Sequence, residues 1–285
     1  MIRRTLFLAT LLLAGSAQAF DLGRALDKLN DPETQKALGI GKKMVKSLQD
    51  IPEPQEIEIG EGVTARLLGA SPLVRNDALQ KYVNKVGLWL ALHSERPTLP
   101  WRFGVTDDAD VNAFATPGGT ILITRGLYQK LRNEAELAGV LAHEIAHVVR
   151  RHQLKAIKSA LGREWQLELA QAVADKKNNK DAAHSLKAFT AGTELFARGL
   201  DKGDEFEADR MGVVIAARAG YNPFGLVGSL QTLDAVNPQD GAVALMFKTH
   251  PSPAKRLEML STAVGVKLDG FADGGKEPAR FVVLK

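Results

Sequence analysis

The 285-residue chain contains no cysteine, and that single absence removes several chemistries. Disulfide bridges, thiol nucleophiles and thiolate metal ligands are all excluded, as is a lipid attached through a cysteine after an export signal. Long apolar runs are scarce as well. The stretch 6–14 falls far short of the roughly 20 residues a membrane-spanning helix needs, and no later segment comes close. No G-x-x-x-x-G-K-S/T phosphate loop occurs, so Gly118-Gly119 is read as a turn. Internal repeats, heptad arrays and low-complexity tracts are missing too.

The first residues carry an export pattern. Arg3 and Arg4 precede the apolar run, and Ala17-Gln18-Ala19 offers a small-residue cleavage site. Residues 1–19 are expected to be removed, leaving a soluble periplasmic chain that starts near Phe20. The whole chain has a formal charge of +4. Without the two leader arginines, 35 basic side chains face 33 acidic ones, a balance of +2. So small an excess points to neither nucleic acid nor anionic lipid as a partner.

Helical periodicity dominates the rest. Residues 20–54 read as an N-terminal helical segment (Leu22, Leu26, Leu29, Val45, Leu48) ending at a Pro52–Pro54 break. Residues 56–95 read as helical, with Val83, Val86, Leu88, Leu90 and Leu92 as apolar positions. Residues 101–105 and 121–124 read as strands, the second directly after the turn Pro117-Gly118-Gly119. Asn133 and Glu136 have the spacing of a capping box ahead of Leu137, Val140, Leu141, Ile145 and Val148, so a helix is expected from there to about Arg151 or beyond. Residues 155–200 are expected to be helical, with a solvated loop at 176–180. A further helix over about 204–219 ends at Gly220, and a last one starts near Ser252 with Pro253 at its first position. The expected class is α+β, mainly helical, with a small mixed sheet beside the central helix.

That central helix carries His143-Glu144-Ile145-Ala146-His147. Histidines four apart differ by about 40° in direction and about 6 Å along the axis, so both rings reach one metal ion from one face. Glu144 stands beside the ion rather than on it, where a carboxylate can take a proton from water. Chance places this pentapeptide in roughly 1% or fewer of shuffled sequences of the same composition. The chemistry it suits is zinc-assisted peptide hydrolysis, with Glu144 as general base and one zinc per chain.

A third ligand is needed. His152 lies nine residues after His143, roughly 180° around a continuous helix at 100° per residue, and reads as a surface residue near the helix end. The longer motif H-E-x-x-H-x-x-G-x-x-H fails, because Arg150 and Gln153 stand where glycine and histidine are required. The stretch Asp204-Glu205-Phe206-Glu207-Ala208-Asp209 is the leading candidate. A carboxylate from it would complete a His₂Glu site, and Asp209 would accept a hydrogen bond from the distal nitrogen of a ligand histidine.

H-E-I-A-H followed some sixty residues later by E-x-E-A-D resembles the M48 family of gluzincin metallopeptidases. The resemblance covers roughly residues 55–265. It takes in Asn112-Ala113-Phe114-Ala115 with Pro117-Gly118-Gly119, the Gly220-Tyr221-Asn222-Pro223 turn, and Thr249-His250-Pro251 with Arg256. It implies a zincin-like fold, zinc on His143, His147 and Glu205, Glu144 as base, and His250 as the donor that stabilises the tetrahedral intermediate. Asp209, Asn112 and Arg256 become supporting or substrate-contacting residues. In such peptidases an extended substrate pairs with an edge strand beside the cleft, here Thr120 to Thr124. The expected organisation is a leader (1–19), a helical segment (20–54), a peptidase domain (55–265) and a short tail (266–285) with no C-terminal repeat domain. By the same resemblance the substrates are unfolded or misfolded envelope proteins, with association to the outer-membrane assembly machinery. The competing expectation is a latent peptidase acting mainly as a periplasmic chaperone or assembly factor, with residues 155–200 as a lid. Structural zinc fits poorly, because three protein ligands beside a water-activating carboxylate form a catalytic arrangement.

Overall fold

Proline decides where the first described helix begins. The computed structural model describes residues 51–159, 199–237, 239–271 and 281–284. The expected leader, the helices of 20–50, the loop at 176–180, most of 155–200 and the 272–280 part of the tail lie outside them. Helix α1, Glu53–Ala70, starts on Pro52 and carries Pro54 in its first turn, where a missing N–H costs nothing. The Pro52–Pro54 pair is thus a helix start. Residues 56–95 are two helices rather than one. Pro72 follows the end of α1, and Asn76 caps α2, Asp77–Leu92, by accepting from the Leu79 N–H at 3.1 Å. Leu79, Val83, Val86 and Leu90 of α2 face the core, whereas Leu88 and Leu92 point outward.

The sheet has three strands in the order β1-β3-β2. Strand β1, Arg102–Thr106, runs parallel to β3, Thr120–Thr124, and β2, Ala113–Ala115, runs antiparallel to it. Every residue of β3 is buried, as its place in the middle requires. Gly119, at φ 110°, makes the turn into β3 possible.

Helix α3, Glu134–Val149, is almost wholly buried. Asn133 accepts from the Glu136 N–H at 2.9 Å, while Glu136 reaches back to the N–H of Arg132 at 2.8 Å. The reciprocal cap therefore closes one residue earlier than a standard capping box. Helix α4, Lys202–Arg218, is capped by Asp201 and closed by Gly220 at φ 83°. Helix α5 is Gly225–Asp234, α6 is Ala244–Thr249, and α7 is Pro253–Val264, whose cap Ser252 accepts from the Lys255 N–H. Two glycines let these helices approach α3 closely. A Cβ on Gly212 would sit 2.8 Å from the His143 nitrogen, and one on Gly139 would sit 2.3 Å from that of Leu226. Among the described residues no helix is long and apolar enough to cross a membrane.

Candidate metal centre

Helices α3 and α4 share the most extensive contact between elements, and among the buried side chains there are two histidines and two carboxylates. His143 and His147 stand one turn apart on α3 with their Nε2 atoms 3.1 Å apart. Glu205 faces them from α4, Oε2 lying 3.7 Å from His143 Nε2 and Oε1 lying 3.4 Å from His147 Nε2. All three side chains are buried. Tetrahedral zinc with bonds of about 2.0–2.1 Å separates its ligand atoms by about 3.3 Å, so these spacings suit one such ion. Glu205 Oε1 makes no hydrogen bond although it is shut off from water. An unsatisfied carboxylate oxygen in that setting is costly, and a cation is what would satisfy it. Two imidazoles and a carboxylate form a donor set that zinc accepts well.

The far side of each imidazole is held. Asp209 Oδ1 lies 2.9 Å from His143 Nδ1, and Asp209 also receives the Arg256 Nε–H at 3.0 Å on its other oxygen. Burial alone would raise the Asp209 carboxyl, but Arg256 and His143 hold it well below the usual carboxylate range. On His147 the corresponding partner is His152, Nδ1 to Nδ1 at 2.9 Å.

The surface position expected of His152 is thereby corrected, since it is only 2% exposed. The angular estimate assumed an unbroken helix. In the structure α3 ends at Val149, Arg151 turns the chain at φ 57°, and helix resumes at His152. That reversal carries His152 back onto the site.

Glu144 is buried, and burial pushes its carboxyl above the usual range, an effect that His143 and His250 only partly oppose. His250 caps the end of α6 and sets Nδ1 2.6 Å from Glu205 Oε2. Burial would lower its pKa, but the Glu205 carboxylate holds it up. Glu144 and His250 border two hollows. One is lined also by His147, Glu205, Gln153 and strand β2. The other is walled on one side by Leu127, Val140, Leu226, Leu230, Leu233 and Met246. The apolar wall went unnoticed in the sequence, although Leu226, Leu230 and Leu233 have the i, i+4, i+7 spacing that would have revealed α5.

Asn112 enters both hollows and also ties β2 to β3. Its N–H donates to Thr124 Oγ1 at 3.0 Å, and its side-chain oxygen accepts from the Ala113 N–H. The expectation that Thr120 to Thr124 is the edge strand is overturned. That strand is β3, hydrogen-bonded on both sides by β1 and β2, and it has no open ladder to offer. The strand beside the cleft is β2.

Comparisons with known proteins point to one family. The model of peptidase family M48 matches residues 77–264. The beta-barrel assembly-enhancing protease of Escherichia coli (strain K12) is 29% identical over 206 residues, covering 71% of this chain and 42% of that protein. The mitochondrial metalloendopeptidase OMA1 of Schizosaccharomyces pombe is 32% identical over 180 residues, 63% of this chain and 51% of its own length. Protease HtpX of Legionella pneumophila is 27% identical over 233 residues, with shares of 68% and 79%. The chain thus spans less than half the length of the first of these relatives.

Proposed function

We propose, from the premise that this chain belongs to peptidase family M48, that it is a zinc endopeptidase acting on unfolded or misfolded proteins of the bacterial cell envelope. One observation carries the reading: the unsatisfied Glu205 Oε1 faces His147 Nε2, with His143 Nε2 opposite the other carboxylate oxygen and Glu144 lining the same hollow.

His143, His147 and Glu205 would hold the ion, one per chain. Zinc so held would supply Lewis-acid polarisation of the scissile carbonyl and a lowered pKa for the attacking water. Glu144 accepts the proton of that water and returns it to the departing amine. Its burial favours this, since a carboxyl pushed upward holds a proton better in the interval. His250 presents an N–H toward the oxygen on which negative charge develops. Asp209, buttressed by Arg256, keeps the proton of His143 on Nδ1 and its Nε2 lone pair on the site. The apolar wall of the second hollow favours an apolar substrate side chain next to the bond cut. An extended chain in the cleft runs beside β2.

The expected leader and the name of the beta-barrel assembly-enhancing protease support a periplasmic location and a link to outer-membrane assembly. The test is casein cleavage by purified protein with stoichiometric zinc, beside Glu144→Gln. The substitution should lower kcat by about 10²–10⁴-fold with zinc retained. Cleavage by neither protein despite full zinc would favour the chaperone reading, and equal cleavage by both would remove Glu144 from its role.

A further inference from the structure

A histidine that binds a metal through one ring nitrogen needs the other one held, because that hydrogen bond decides where the proton sits and how the ring is aimed. For His143 the holder is a carboxylate, Asp209. For His147 it is a second imidazole: the two Nδ1 atoms of His147 and His152 lie 2.9 Å apart with both rings buried. Two neutral imidazoles share such a bond only when one carries the proton and the other is bare. His147 turns Nε2 toward His143 and Glu205. To offer a lone pair there it must carry its proton on Nδ1. His152 then accepts at Nδ1 and carries its own proton on Nε2. That nitrogen faces Glu207 Oε2 at 3.4 Å and Asp204 Oδ1 at 3.7 Å.

We propose that His152 is a positioning residue for metal binding, fixing His147 in the Nδ1-protonated tautomer and fixed in turn by Glu207 and Asp204. The proposal rests on the reading of His143, His147 and Glu205 as the metal site. Asp204 and Glu207 flank Glu205 on one turn of α4, so a single turn supplies the third ligand and the brace behind the second. The brace ends in cations at the surface: Arg150 pairs with Glu207, and Lys155 donates to Asp204 at 3.0 Å. They pair with the two carboxylates, Arg150 through the Glu207 oxygen away from His152 Nε2. They also weigh against a second ion among His152, Asp204 and Glu207, whose spacing is metal-like. Such an ion would have to displace Lys155 and turn His152 away from His147.

Zinc dissociation constants from competition with a chromogenic chelator test this in four proteins: the parent, His152→Leu, His152→Asn and His147→Ala. Leucine fills the space without an acceptor, whereas asparagine places its amide oxygen about where the ring holds Nδ1. His152→Leu should bind zinc about 10–100-fold more weakly, and His152→Asn should recover most of that loss. A purely packing role predicts the reverse, because leucine leaves the smaller void. The proposal is overturned if His152→Leu binds like the parent, or if His152→Asn is no tighter than His152→Leu. It is also overturned if the parent binds two ions and His152→Leu one, which would make His152 a ligand. Binding by His147→Ala equal to the parent would instead sink the metal site itself, and the proposal with it. Nitrogen-15 spectra of histidine-labelled, zinc-loaded parent protein give a check that needs no variant to fold. They should show His147 protonated on Nδ1 and His152 on Nε2, and the opposite tautomers would contradict the proposal.

Discussion

Glu56 and Glu205 are both completely buried carboxylates, and their surroundings differ in an instructive way. Around Glu56 the partners are complete. Arg96 reaches both oxygens at 2.8 and 3.0 Å, Arg151 adds its Nε at 3.0 Å, and the Gly118 N–H donates at 3.3 Å. This cluster ties α1 to the turn before β3 and to the chain reversal after α3. The fit there is tight, since a Cβ on Gly60 would lie 1.7 Å from the Pro117 carbonyl oxygen. Around Glu205 no guanidinium or ammonium is in contact among the described residues. His250 occupies one oxygen, and the other faces His147 at 3.4 Å without a hydrogen bond. The first cluster is finished by the protein and holds its shape. The second leaves one buried carboxylate oxygen without a hydrogen bond, and that oxygen is what a bound cation would satisfy.

Two substitutions sharpen the contrast. The larger effect belongs to the finished cluster. Glu56→Ala leaves Arg96 with Glu53 alone, releases Arg151 and the Gly118 N–H and opens the corner, and should cost about 3 kcal/mol in denaturant unfolding. Zinc affinity of the fraction that folds should be unchanged; a parallel loss of zinc would mean the two clusters are one. The smaller effect belongs to the unfinished cluster. Glu205→Gln gives up the His250 ion pair but relieves one unsatisfied oxygen, two opposing effects, so metal-free stability should change by only about 1 kcal/mol. The same substitution should abolish the rise in Tm that zinc gives the parent protein. A large loss of metal-free stability would show that Glu205 is already satisfied without an ion.

The difference between what was and was not legible in the sequence follows the reach of each signal. Caps and helix ends are local. Asn133, Ser252 and Gly220 mark their boundaries through hydrogen bonds or a φ value set within a few residues, and the zinc pentapeptide needs only helical spacing. The split between α1 and α2 was also local, in Pro72 and Asn76, but the apolar positions read for 56–95 all lie in α2 and say nothing of where α1 ends. Strand β2 has three residues, too few for alternation to register, and exists because β3 lies beside it. That β3 is central is a fact of topology, invisible to a pattern that only says buried strand. His152 was misplaced because one left-handed residue, Arg151, breaks the helix on which its angle was reckoned. The Glu56 cluster joins residues 40 and 95 positions apart, with no motif to announce it.

A cation that completes the Glu205 cluster can be located in a crystal. Crystals of zinc-loaded protein, measured at the zinc absorption edge, should show one anomalous peak per chain. It should lie about 2.0–2.2 Å from His143 Nε2, His147 Nε2 and a Glu205 oxygen. A peak among His152, Asp204 and Glu207 instead, or none at saturating zinc, would contradict the account.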